Sequence, residues 1–136
     1  MQRLRATLLV TMVGLIAANA APARADGFEN VVLSSTKGSD VPETTFARDT
    51  PKIFVRAQMT DAVKSGSEVV VSWIAVDTGG VAPPNYKIDE VSLNVILANV
   101  IDSALSKPDS GWPVGDYNVV FSIDGKVMET TDFKVK

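Results

Sequence analysis

Residues 111–135 read GWPVGDYNVVFSIDGKVMETTDFKV, and this stretch decides the fold. Tyr117, Val119, Phe121 and Ile123 alternate with Asn118, Val120 and Ser122. That period of two marks a strand with one face buried. Asp124-Gly125 follows as a two-residue connection, a strong hairpin signal because a type I′ turn needs positive φ at both positions. The returning strand, Val127 to Val135, places Val127, Thr131, Phe133 and Val135 on the inward parity.

Working outward from this hairpin, the same grammar recurs. Phe28 to Ser34 is a first strand, and Thr44 to Ala47 a short edge strand inside the Ser-, Asp- and Pro-rich loop 35–51. Lys52 to Met59 puts Ile53, Val55, Ala57 and Met59 on one face, with Lys52, Arg56 and Gln58 on the other. Glu68 to Asp77 is apolar on both faces, as expected of a strand inside a sheet. The stretch 87–105 reads two ways. Leu93, Ile96, Leu97, Val100, Ile101, Ala104 and Leu105 follow a helical stripe, yet the density of β-branched residues and the two asparagines oppose a helix. Two strands, about 88–96 and 100–105 with a turn near Asn99, are the preferred reading, and a helix over 91–105 in an α+β fold is the alternative. Seven or eight short strands at this spacing predict an all-β, antiparallel β-sandwich.

Pro113-Val114-Gly115-Asp116-Tyr117-Asn118-Val119 resembles the tyrosine corner of immunoglobulin-like domains, and the 111–135 segment resembles the last hairpin of small exported bacterial members of that class. The resemblance is close over about a quarter of the chain. It implies that Tyr117 bonds back to upstream backbone and that Trp73 is the core tryptophan. It also implies that Val119, with Val55 or Ala57, stands where antibodies carry their cystine. Phe121 and Phe133 complete the expected core. The resemblance implies a fold, and such folds host many functions.

The N-terminal segment reads as an address. Arg3 and Arg5 precede an uncharged, mostly apolar run from Ala6 to Ala20, and Ala23-Arg24-Ala25 has the form cut by signal peptidases. Cleavage after Ala23 is a second option. Residues 1–25 are therefore expected to be a cleaved signal peptide and 26–136 a single domain, periplasmic or secreted. The run is shorter than the ~20 apolar residues of a membrane span, so no membrane insertion is expected after cleavage. Cleavage removes Arg3, Arg5 and Arg24 and no acidic residue, taking the formal net charge from −3 to −6. That balance disfavours nucleic acid as a partner, because phosphate is bound by cations.

The 136 residues include neither histidine nor cysteine. Thiol nucleophiles, disulfides, imidazole bases and Cys/His zinc sites are thereby excluded. Only carboxylates remain for proton transfer, and no pair stands in a context that suggests catalysis. The chain therefore reads as a non-enzymatic binding module without a cofactor. A protein partner is the expected ligand, engaged through Trp112, Tyr86, Pro83 and Pro84 on the loops or through a sheet edge. The alternative is a carbohydrate- or calcium-binding accessory domain that uses Trp112 and a loop site of Asp40, Glu43 and Asp49. For these acids, and for Trp112 as a plug at the end of the core, the plain structural readings carry more weight.

Overall fold

The computed structural model describes residues 27–95 and 99–136. The expected signal peptide lies outside the described residues. Eight strands follow in order: β1 (Phe28–Ser34), β2 (Thr45–Phe46), β3 (Lys52–Met59), β4 (Glu68–Asp77), β5 (Tyr86–Asn94), β6 (Val100–Ser106), β7 (Gly115–Ile123) and β8 (Lys126–Val135). The 87–105 stretch is resolved in favour of strands, since Val91 to Asn94 lie in β5 and Val100 to Leu105 in β6. Ile96 and Leu97 of the helical stripe lie outside the described residues.

The strands form two sheets, β1-β3-β6 and β2-β8-β7-β4-β5. All pairings are antiparallel except the two-residue β2–β8 contact. The inner faces meet in one core. Ile53, Val55 and Ala57 come from β3, Val69, Val71 and Trp73 from β4, and Tyr117, Val119 and Phe121 from β7. The valines and alanine expected in place of a cystine are thus fully buried. Trp73 donates its indole N–H to Ser103 Oγ of β6 at 3.1 Å, a hydrogen bond that ties the two layers together. Phe133 packs against both Trp73 (centroids 6.2 Å apart) and Tyr117 (5.1 Å, stacked), so one phenylalanine links the early indole to the late phenol.

The decisive hairpin forms as read. Asp124 and Gly125 have φ of 50° and 85°, and the Asp124 carboxylate accepts the Glu68 N–H, pinning the turn to the start of β4. One detail of its parity is corrected. Val127 is exposed, because the β7–β8 register shifts between Phe121 and Ser122. Phe121 pairs with Glu129 and Ser122 with Val127, leaving Met128 as the extra residue of a bulge. The bulge reverses the facing of the first turn of β8, and Met128 packs against the core instead.

β4 lies between β7 and β5, as its two apolar faces suggested. Its outward residues Val70, Ile74 and Val76 are only half-buried.

Candidate functional site

The loops 35–51, 78–85 and 107–114 gather at one end of the sandwich, beside the tyrosine corner. Here Tyr117 donates its hydroxyl proton to the Pro113 carbonyl, the back-bond implied by the sequence motif. The glycine two residues earlier is required by close approach: a Cβ on Gly115 would lie 2.1 Å from the Asp77 carbonyl oxygen. Burial pushes the Tyr117 phenol up to about 12, with Arg48 nearby pulling weakly in the other direction.

Trp112 is corrected from an exposed contact to a structural plug. It is 1% exposed, stands edge-on to Tyr117, and donates its indole N–H to the Thr50 carbonyl at 2.7 Å. Its backbone N–H also donates to the Arg48 carbonyl, and Arg48 Nε donates to the Trp112 carbonyl. These bonds clamp loop 107–114 onto loop 35–51. The physical reason is that a large apolar ring with one donor is stable inside wherever a carbonyl accepts that donor.

The other aromatic-loop residues stay outside. Tyr86 opens β5 at 50% exposure, and Pro83 and Pro84 are exposed beside it. Two residues that sequence reasoning passed over join them, Val81 at 71% and Val114 at 52% exposure. Val81 and Val114 line one shallow depression of about 300 Å³ with Arg48, Thr78, Gly111 and Pro113. A signal for both existed in the sequence. Each is a β-branched apolar residue inside a Gly/Pro loop, where neither strand parity nor a helical stripe explains it.

Loop 78–85 holds Val81 out on a fixed frame. The Ala82 N–H donates to Thr78 Oγ1, the Gly79 N–H to the Asp77 carboxylate, and the Asn85 N–H to the Val76 carbonyl. The loop thus satisfies much of its own backbone, so little ordering entropy remains to be lost on contact.

The candidate calcium site is corrected as well. Asp40 pairs with Arg56 at 3.4 Å, and the Glu43 carboxylate accepts the Ser35 N–H and the Ser34 hydroxyl. These bonds, the backbone one foremost, hold the Glu43 carboxyl below its usual range. Asp40, Glu43 and Asp49 therefore do not converge, and no group of three such side chains suited to a metal exists among the described residues. Loop 35–43 uses Glu43 to fold itself, an ordinary role for a turn carboxylate. Other carboxylates are similarly engaged: Glu90 with Lys87 at 2.8 Å and Asp116 with Lys134 at 2.6 Å.

No protein-family model matches the chain, and no curated protein matches it. An immunoglobulin-like protein from Pseudomonas aeruginosa superposes with a TM-score of 0.54 at 15% identity, covering 86% of this chain and 100% of that one. A β-glucosidase from Kluyveromyces marxianus aligns over 62% of this chain and 12% of its own length, with a TM-score of 0.37 at 21% identity. The first likeness, with the two-sheet topology, shows an immunoglobulin-like β-sandwich.

Proposed function

We propose that this immunoglobulin-like sandwich is a non-enzymatic, exported interaction module that engages a protein partner through its loop end. The observation that carries the reading is the exposed apolar set Val81, Pro83, Pro84, Tyr86 and Val114 on loops that are already ordered. Isolated exposed apolar residues are ordinary, but several displayed together on a rigid frame mark an interaction site. The absence of histidine and cysteine from the sequence, together with the ion pairs that engage Glu90 and Asp116, supports a binding role over catalysis. Export, to the periplasm or the medium, is supported by the leader-like sequence of residues 1–25, with its basic start, apolar run and Ala23-Arg24-Ala25. The carbohydrate and calcium alternatives lose their motives, since Trp112 is buried and the three loop acids are apart.

The test compares wild type with a Val81→Asp/Val114→Asp double variant in affinity capture from the native cell envelope. Both substitutions are at exposed positions, so thermal melting is expected to be unchanged. Loss of a specific captured protein by the variant is the expected result. Equal recovery of the same proteins by both forms would overturn the loop-end reading.

A further inference from the structure

The two layers differ in width, three strands against five. β1 lies over β7, with Phe28 and Phe121 rings 5.0 Å apart, and β6 lies over β4 through the Trp73–Ser103 hydrogen bond. Among the described residues the smaller sheet therefore has no fourth strand opposite β5, which reaches the core through Ile88 at its bulge. In register, Val91 pairs with Val71 and Leu93 with Val69, so these side chains share the inward face. Val69 and Val71 are fully buried, whereas Leu93 is 41% exposed and Val91 half-buried. Asp89, paired with Trp73, is the third inward residue and is exposed.

The edge of the smaller sheet beside this uncovered face is β6. Among the described residues, β6 pairs only with β3, leaving its outer row of backbone donors and acceptors without strand partners. Such an edge accepts an added strand. Outside the sheet, a depression of about 650 Å³ is lined by Lys37, Lys52, Phe54, Arg56, Asp102 and Ala104. Lys37 and Lys52 carry no ion pair among the described residues. Arg56 is engaged by Asp40 and stands in register opposite Asp102. Phe54 faces the small Ala104, and Lys52 faces Ser106, so the cationic end of this face is the one at Ala104 and Ser106.

We propose that the β6 edge is a slot for one extended strand of a partner protein, added as a fourth strand over β5. Its backbone pairs with β6. Its inward residues are apolar where they cover Val91 and Leu93 and polar at the level of Asp89. Its outward residues are acidic opposite Ala104 and Ser106, within reach of Lys52 and Lys37. Three separate observations specify this occupant: an unpaired edge gives main-chain recognition, an uncovered apolar face gives alternation, and two unpaired lysines give charge. The Lys37 and Lys52 end of the slot adjoins the loop end, but Val81→Asp/Val114→Asp leaves Val91, Leu93, Lys37 and Lys52 unchanged, so either surface can fail its test while the other passes.

The test uses three capped nine-residue peptides titrated into the purified protein. The first alternates valine with glutamate, the second alternates valine with lysine, and the third scrambles the first. Hydrogen exchange read by NMR is expected to slow at alternate amides of Val100–Ser106 with the first peptide and to be unchanged with the scrambled one. The lysine peptide is expected to bind about tenfold more weakly, because like charges are then juxtaposed. A Lys37→Glu/Lys52→Glu variant is expected to reverse that preference, and Leu93→Asp to weaken both peptides. Equal binding of the scrambled peptide, protection confined to residues outside β6, or no response to any of the three overturns the proposal. So does binding of polygalacturonate at Lys37 and Lys52 without a peptide response, which would make the face an anionic-sugar site.

Discussion

The corner around Trp112 and the flank along β5 carry similar apolar side chains with opposite outcomes. At the corner, loop 107–114 folds back until Thr50 supplies a carbonyl for the indole and Pro113 one for the phenol. Apolar rings there become part of the core. Along β5 the register places Val91 and Leu93 on the inward face, but the opposing sheet ends one strand short. Inward parity and burial therefore separate. Parity is a property of one strand, and burial needs a second layer of matching width.

Substitutions on each side sharpen this contrast. The largest effect is expected for Trp73→Ala, at the centre where both layers are present: about 3–5 kcal/mol, as for other large aromatic truncations in cores. Denaturant unfolding checks it, and near-normal stability would mean that Trp73 is not the bridge between the layers. Trp112→Phe is expected to cost about 2 kcal/mol, mainly because the buried Thr50 carbonyl loses its donor. A negligible change there would return Trp112 to the class of surface aromatics and erase the contrast.

Tyr117→Phe is expected to cost about 1 kcal/mol near neutral pH, the usual net value of one hydrogen bond. It carries a second signature. The phenol in the folded chain is pushed up to about 12, above its ordinary 10.0. The unfolded chain gives up this proton first, so the contribution is complete below pH 10 and is lost as pH rises toward 12. Stability measured across that range is expected to fall less steeply in Tyr117→Phe than in wild type. Leu93→Ser is expected to change stability by less than about 0.5 kcal/mol, as befits an exposed site. A loss of several kcal/mol would show that β5 is covered after all, and would remove the slot.

Much of the architecture was legible because it is local. Alternation marked β3 and β7, a run apolar on both faces marked β4, positive φ at Asp124-Gly125 marked the hairpin, and Pro-x-Gly-x-Tyr marked the corner. Where local rules conflicted, as over 87–105, β-branching outweighed the helical stripe. Val127 was misplaced because a bulge at Met128 leaves no residue that announces it. The candidate site was legible only in part. Pro83, Pro84 and Tyr86 stand exposed as read, while Val81 and Val114 join them on a weaker signal, an apolar residue inside a Gly/Pro loop.

The amino-acid order by itself determined the strands, the turns and the exclusion of thiol and imidazole chemistry, since these depend on neighbours in the chain or on composition. The tertiary structure alone decided which aromatics are plugs and which are displayed, because an acceptor carbonyl for Trp112 comes from a residue 62 positions away. It alone also decided that β5 outruns its opposing layer, because the width of a sheet is counted across strands and is written in no single one of them.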